Sequence, residues 1–388
     1  MNIGLFTDTY FPQVSGVATS IQTLKNSLEA RGHSVFIFTT TDPHLPKGTI
    51  EPNVFRVASV PFVSFTDRRI AYRGIFQANK IAKEVKLDIV HTQTEFSMGM
   101  IGKYVANSLN IPAIHTYHTN YEDYLHYVLN GHLLRPAHVK QFVKAYLHNM
   151  QGVIAPSEQT FRTLKGYGVK TPMRIISTGV DLKSINENPK RDVREELGLN
   201  KDDLVLLTLS RVAPEKKINK IISILPDILK KFPRVKFVIA GDGPAMEDLK
   251  KQVDQENLKD TVIFAGNVEH SDVGNYYRMA NLFVSASDTE TQGLTYMEAL
   301  AAGTPCVVYS TDYTQEIFDE PELGKIFNTQ EEMKRDILDF LEKNQFDIPV
   351  KVLEETLSKV TAASFGAKVE QFYQDAINEL KVNEVNND

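Results

Sequence analysis

The sequence predicts an α/β protein of two Rossmann-like parallel-sheet domains facing across a cleft. Three observations predict it. Short apolar runs alternate with longer amphipathic stretches along the chain. The alternation begins afresh after a polar join. At 388 residues the chain is also long for a single core.

In the first half, NIGLFTD reads as a strand, GVATSIQTLKNSLEARG as an amphipathic helix closed by Gly32, and HSVFIFTT as the next strand. LDIVHTQ and IPAIHTYH follow as strands with a helix between them. GVIAPS is another strand, with Ser157 the N-cap of EQTFRTLKGYG. Such alternation implies a parallel sheet covered by helices on both faces. The join falls in KSINENPKRDVREELGLN, residues 183–200, which is polar and carries Pro189. The second half then runs DLVLLTLSR, INKIISILPDILKKFP, VKFVIAGDG, AMEDLKKQVDQEN and TVIFAGN as strand, helix, strand, helix and strand. These signals place the domains at 1–185 and 186–362. Ligands of open parallel sheets bind beyond the carboxyl ends of the strands, so the loops after the strands are where function is sought.

Composition narrows the class. Hydrophobic residues make up 42% and charged residues 24%, which fits a folded soluble chain rather than a disordered one. The single cysteine, Cys306, excludes an internal disulfide framework and fits a reducing cytosol. MNIGLFTDTYFPQ lacks a basic region followed by an apolar one, so no signal peptide is expected. No apolar run approaches the roughly 20 residues that a spanning helix needs. Residues 1–190 carry 20 Lys and Arg against 13 Asp and Glu, a net +7, whereas residues 191–388 are net −13. The halves therefore suit different partners, although drift between two domains would give the same asymmetry. No nucleic-acid motif accompanies the basic half, so nucleic acid is not an expected partner.

Three strand-end loops of the second half carry the chemistry. After LVLLTLS, Arg211 and Lys216 suit a diphosphate, the guanidinium forking onto oxygens and the ammonium acting as a point charge. The bland alternative is two solvated cations. After VKFVIA, Gly-Asp-Gly makes a tight turn that needs no ligand. After ANLFVSAS, the stretch DTETQGLTYMEALAAGTP turns at Gly293 and starts a helix near Leu294. Leu294 and Thr295 at that helix start suit an anion. Glu290 before the turn and Glu298 on the helix suit hydroxyls held beside it, because a carboxylate accepts two hydrogen bonds from a vicinal diol. A diphosphate with hydroxyls on both sides is a nucleotide-sugar. The alternative for each glutamate alone is a cap or an exposed helix residue.

SRVAPEKKIN, VIAGDGP and SDTETQGLTYMEALAAGTPCV together resemble the donor-binding signature of retaining glycosyltransferases of family 4, including its E-x7-E motif. TDTYFPQVSGVATSIQTLKNSLEARGHSV and ISTGVDL resemble other parts of the same family, so the likeness spans essentially the whole chain. The resemblance implies the GT-B architecture, with the nucleotide-sugar in the C-terminal half and the helix ASFGAKVEQFYQDAINEL, residues 363–380, crossing back to the first domain. It further implies that Arg211 and Lys216 bind the donor diphosphate, Glu298 the ribose diol and Glu290 the transferred sugar. Gly16, in the first loop, would let the backbone approach the donor phosphate; Ser15 stands where many relatives have glycine. His118, at the end of IPAIHTYH, matches the family's histidine beside the reacting sugar, whereas His115 reads as buried structure. Retention with front-side attack is implied, without a metal, and the scheme leaves room for stimulation by Mg2+.

The acceptor belongs to the basic half. VPFVSFTDRRIAYRGIFQANKIAKEVK sets Phe65, Tyr72 and Phe76 among Arg68, Arg69 and Arg73, here read as a helix from about residue 67. A basic, aromatic, amphipathic surface suits anionic lipid, while core helices with solvated cations would look similar. DTYFPQVSGVATSI with HTYHTNYEDYLHYV resembles the bacterial diacylglycerol α-glucosyltransferases. That resemblance implies UDP-glucose as donor, diacylglycerol as acceptor, and a peripheral place on the cytoplasmic face of the cell membrane. The alternatives are a soluble glycan, protein or teichoic acid acceptor, or a non-catalytic nucleotide-sugar binder. The complete set of Arg211, Lys216, Glu290 and Glu298 argues against the binder.

Overall fold

The computed structural model describes residues 1–387 apart from 14, 44, 47, 48, 63, 64, 120–135, 187–190 and 291; the side chains of 62, 65–68, 183, 184 and 383–387 also lie outside the description. The chain forms two compact units, Met1–Gly179 with Ala362–Asp388, and Val180–Thr361.

The first unit contains β1 (Asn2–Phe6), β2 (Ser34–Thr40), β3 (Val54–Val57), β4 (Ser59–Phe62), β5 (Phe65–Ala71), β6 (Ile89–Thr92), β7 (Ala113–Thr116), β8 (Gly152–Ala155) and β9 (Met173–Ile175). Seven of these form one parallel sheet in the order β3-β2-β1-β6-β7-β8-β9. Alternate residues feed its two faces. Ile3, Leu5, Val35, Ile37, Ile89 and Ile114 pack into one core layer, and Phe6, Phe38, Val90 and Ala113 into another.

The second unit contains β10 (Leu204–Leu209), β11 (Val235–Ala240), β12 (Val262–Gly266), β13 (Leu282–Ser285), β14 (Cys306–Tyr309) and β15 (Gly324–Phe327). They form a parallel sheet in the order β12-β11-β10-β13-β14-β15. The two faces again divide by parity. Val205, Leu207, Phe283 and Cys306 pack on one side, and Leu206, Leu282, Val284 and Val307 on the other. In both sheets the chain starts at the middle, builds outward, then returns to build the other way. The strand order therefore reverses between β1 and β6, and between β10 and β13.

Two readings of the sequence change here. The helix expected from about residue 67 is instead an antiparallel hairpin, β4 with β5, in which Ser59 pairs with Ala71 and Val60 with Ile70. Gly74 is the reason the helix comes later. Its φ of 106° lies in the left-handed region, and the Ile75–Glu84 helix begins immediately after it. Gly16 is the first residue of the Gly16–Ala30 helix rather than part of a loop, with the Ser15 Oγ accepting from the Ala18 N–H at 3.1 Å. The first unit ends at Gly179 because Val180 bridges to Thr361 and packs, with Ile185, in the core of the second unit.

The Ala362–Asn387 helix belongs to the first unit. It buries Phe365, Val369, Phe372, Tyr373 and Ala376 against Ile21, Leu24 and Leu28 of the Gly16–Ala30 helix and the strands beneath. The Tyr373 hydroxyl reaches the His91 Nδ1 at 2.7 Å, and the Arg174 guanidinium lies 4.5 Å from the centre of the Phe372 ring. A Cβ on Gly152 would come within 2.3 Å of the Phe372 ring, so β8 is fitted to this helix. Phe372→Ala should therefore cost about 3–5 kcal/mol of the first unit's stability. The check is the midpoint of that unit's urea transition, which should fall; an unmoved midpoint would mean that the helix contributes little.

Candidate active site

Three of the donor residues expected from the sequence lie on the loops of the second unit where the strand order reverses. Arg211 and Lys216 follow β10, and Glu290 follows β13, its neighbour across the reversal. Residues Pro214–Lys216 form a short 3-10 turn, and Lys217 closes it with a φ of 51°. That turn brings the Lys216 ammonium to Oε1 of Glu290 at 2.5 Å. Lys217 likewise pairs with Asp288. Two adjacent lysines thus tie the loop after β10 to the loop after β13. Arg211 is braced by the buried Glu215, 3.9 Å away.

Glycines set the backbone of these loops. At Gly241 and Gly243 a Cβ would meet the Ser210 carbonyl oxygen at 1.9 Å and the Val212 carbonyl oxygen at 2.4 Å. The Gly-Asp-Gly turn is thus shaped by close approach to the Arg211 loop, whose Val212 N–H donates to the Asp242 carbonyl at 2.9 Å. At Gly293 the φ is 59°, and a Cβ would lie 2.4 Å from the Tyr296 ring, so a side chain there would be strained and clash. The Leu294–Ala301 helix starts straight after it, with no side-chain cap bond at Gly293. Leu294 and Thr295 occupy its first turn, where backbone N–H groups and the helix dipole favour an anion.

The two glutamates of the motif sit in opposite environments. Burial pushes the Glu290 carboxyl up, but the charge and hydrogen bond of Lys216 outweigh it and the net shift is downward. Glu298 is 7% exposed and accepts a hydrogen bond at Oε2 from the Tyr277 hydroxyl at 2.8 Å. Burial pushes its carboxyl up to about 7, with the Tyr277 bond pulling against it. Glu298 is thus a buried residue, not an exposed helix glutamate.

In the first unit, His118 follows β7 and its Nε2 lies 2.7 Å from the Gln93 side-chain oxygen. Burial, with His115 adding to it, pushes the His118 imidazole down to about 3. His115 is fully buried, bonded by Nδ1 to the Thr92 hydroxyl at 2.8 Å and by Nε2 to Glu95 at 2.9 Å. Among the described residues nothing lies within 4 Å of where a Cβ on Gly16 would stand. Asp8, in the loop after β1, accepts from the Thr94 hydroxyl at 2.6 Å, the Met98 N–H at 3.0 Å and the Ser97 hydroxyl. Gln93, Glu95 and Asp8 escaped the sequence reading. They follow β6 and β1, which flank this sheet's reversal, and TQTE directly after an apolar strand was the available signal.

Of the six residues assigned to a lipid surface, the side chains of Phe65 and Arg68 lie outside the described residues, as does most of TNYEDY. Arg69 is committed within the hairpin, donating to the Ser59 carbonyl at 2.8 Å and hydroxyl at 2.9 Å. Tyr72 and Phe76 are 57% and 78% exposed, and the Arg73 guanidinium lies 5.6 Å from the centre of the Tyr72 ring. No helix among the described residues is long and apolar enough to cross a membrane.

Residues 14–184 match the family model Glycosyltransferase Family 4, and residues 189–354 the model Glycosyl transferases group 1. The alpha-monoglucosyldiacylglycerol synthase of Streptococcus pneumoniae is 46% identical over 382 residues, 97% of this chain and 86% of that protein. The enzyme of the same name from Acholeplasma laidlawii is 34% identical over 351 residues, 87% of each. Among solved structures, sucrose-phosphate synthase of Thermosynechococcus elongatus superposes with a TM-score of 0.78 at 22% identity, covering 97% of this chain and 99% of that one. Anabaena HepE in complex with UDP-glucose superposes with a TM-score of 0.76 at 15% identity, covering 96% and 99%. At those identities the two structures speak for the fold, which is GT-B. With both halves matched and a relative 46% identical over 97% of this chain, the chain belongs to glycosyltransferase family 4 and is a glycosyltransferase.

Proposed function

We propose that the protein transfers glucose from UDP-glucose to diacylglycerol, with retention of the α configuration, as a peripheral enzyme on the inner face of the cell membrane. The acceptor reading is carried by the 46% identity to a synthase named for monoglucosyldiacylglycerol. The donor reading is supported by Arg211, Lys216 and Glu290 converging at a strand-order reversal beside the Leu294 helix start. HepE, which shares the fold at 15% identity, has been solved in complex with UDP-glucose.

In this reading the diphosphate lies against Arg211, Lys216 and the N–H groups of Leu294 and Thr295. An ammonium carries three donors, so Lys216 can hold Glu290 and a phosphate oxygen at once. Glu290 then accepts from hydroxyls of the glucose, and Glu298 from the ribose diol. The acceptor hydroxyl oxygen attacks the anomeric carbon on the face the diphosphate leaves. The bond from that carbon to the phosphate oxygen breaks, and the acceptor proton passes to the leaving phosphate. The cations and the helix start stabilise the charge that develops there. His118, being neutral, contacts the sugar or the leaving phosphate as a hydrogen-bonding group. Tyr72, Arg73 and Phe76 would meet the lipid surface.

The decisive assay incubates the protein with labelled UDP-glucose and vesicles of diacylglycerol and an anionic lipid. The expected product is a labelled monoglucosyl lipid cleaved by an α-glucosidase and not a β-glucosidase. Slow UDP release without lipid labelling would move the search to soluble glycans, proteins and teichoic acids. Glu290→Ala should lower kcat on the order of 100-fold. Glu298→Ala should instead raise the donor KM about tenfold. Wild-type constants in both variants would remove the donor assignment.

His118 also carries a pH prediction. Its depressed pKa means that the folded chain refuses a proton that the unfolded chain accepts below about 6.5. Its environment therefore costs stability as pH falls below that value and costs nothing above it. Followed by NMR, the His118 ring should show no titration between about pH 5 and 8. A midpoint inside that window would mean that the ring carries charge near neutral pH and would overturn its reading as a neutral hydrogen-bonding group.

A further inference from the structure

We infer that Tyr277 is a positioning residue for the donor: its phenol fixes the Glu298 carboxylate so that one oxygen is held by the protein and the other is presented to the ribose diol. The inference rests on the reading of Glu298 as the diol ligand.

Tyr277 lies on the Val273–Met279 helix and is fully buried. Its backbone is pinned by the Thr304 hydroxyl, which donates to the Tyr277 carbonyl at 2.8 Å, and its ring centre lies 5.7 Å from that of Phe283. A phenol donates one hydrogen, and here it goes to Glu298 Oε2 at 2.8 Å. Burial pushes the Tyr277 hydroxyl well up, and Glu298 adds to it, so the phenol stays protonated as a donor. The Glu298 Oε1 makes no hydrogen bond among the described residues. A glutamate has several rotatable bonds. A buried donor that selects one carboxylate oxygen restricts those bonds before the ligand arrives.

The same bond favours the ionised carboxylate, the form that can accept from both ribose hydroxyls. Other titratable groups on the elements packed against the Leu294–Ala301 helix, which carries Glu298, are weak competitors. Cys306 is buried with its thiol pushed up, and Lys351, Glu354 and Glu355 are exposed. Tyr276 is raised by burial, and Arg278 donates to the Ile185 carbonyl and to Asn275. Tyr309 is half-buried on β14, and the Lys183 side chain lies outside the described residues.

The test measures binding of UDP and of 2′-deoxy-UDP by calorimetry across pH, in the wild type and in Tyr277→Phe. The wild type should prefer UDP by about tenfold, the worth of a hydrogen bond to a charged group. Tyr277→Phe should bring the UDP to 2′-deoxy-UDP ratio toward one and move the midpoint of pH-dependent UDP binding up by about one pH unit. Should that variant melt early, Thr304→Val, which loosens the Tyr277 backbone while leaving the phenol, should move both readouts the same way by a smaller factor. A wild type that discriminates, with variants that keep its ratio and midpoint, overturns the role of Tyr277 and leaves Glu298 as the diol ligand. A wild type that binds both nucleotides equally overturns the Glu298 reading, and this inference with it.

Discussion

The second unit depends on one constraint, the reversal of strand order between β10 and β13. Strands on either side of a reversal send their following helices to opposite faces of the sheet, so the loops at their carboxyl ends diverge and leave a crevice. In this unit the two diverging loops are held together by charge. Lys216 reaches Glu290 and Lys217 reaches Asp288, each pair linking the loop after β10 to the loop after β13. Partly buried pairs such as these are screened less than surface pairs, and they fix geometry even where their net stabilisation is small. The neighbouring loop is fixed without charge. Gly241 and Gly243 let the exit of β11 press on the Ser210 and Val212 carbonyls, which sets the path of the Arg211 loop. The cations and the motif glutamate are thereby placed by topology first and by side-chain pairing second.

The parts legible in the sequence were those where local pattern and global fold agree. Parallel strands buried on both faces read as apolar runs, and LVLLTL, VKFVIA and LFVS could be placed without contacts. Gly293 before LTYMEALA marked its helix start for the same reason, since one residue type and one backbone conformation coincide there. Legibility failed where long-range packing decides. FTDRRIA mixes basic and apolar residues in a way that suits a helix, yet Phe65–Ala71 pairs antiparallel with Ser59–Phe62, and a test of helical spacing does not register a strand pairing. The burial of Glu298 was hidden because it depends on Tyr277, 21 residues earlier on a different helix. Gln93, Glu95 and Asp8 were hidden because polar residues in a loop look solvated until the sheet order shows that they flank a reversal.

The contrast between Glu290 and Glu298 explains why a motif needs two carboxylates rather than one. Both lose hydration, which disfavours the charged form. Glu290 recovers that loss from the Lys216 ammonium, so it is held ionised by a charge that a diphosphate would also attract. Among the described residues Glu298 has only a neutral phenol for its partner, and a hydrogen bond offsets less than an ion pair does. The proposed roles follow from that difference. A group fastened to the lysine proposed to bind phosphate suits the sugar beside the breaking bond, because any movement of the diphosphate would be felt there through Lys216. A carboxylate balanced near neutrality, with one oxygen restrained, suits a diol that must be gripped and then released with the spent nucleotide, since the hydroxyls themselves supply the donors that hold it ionised.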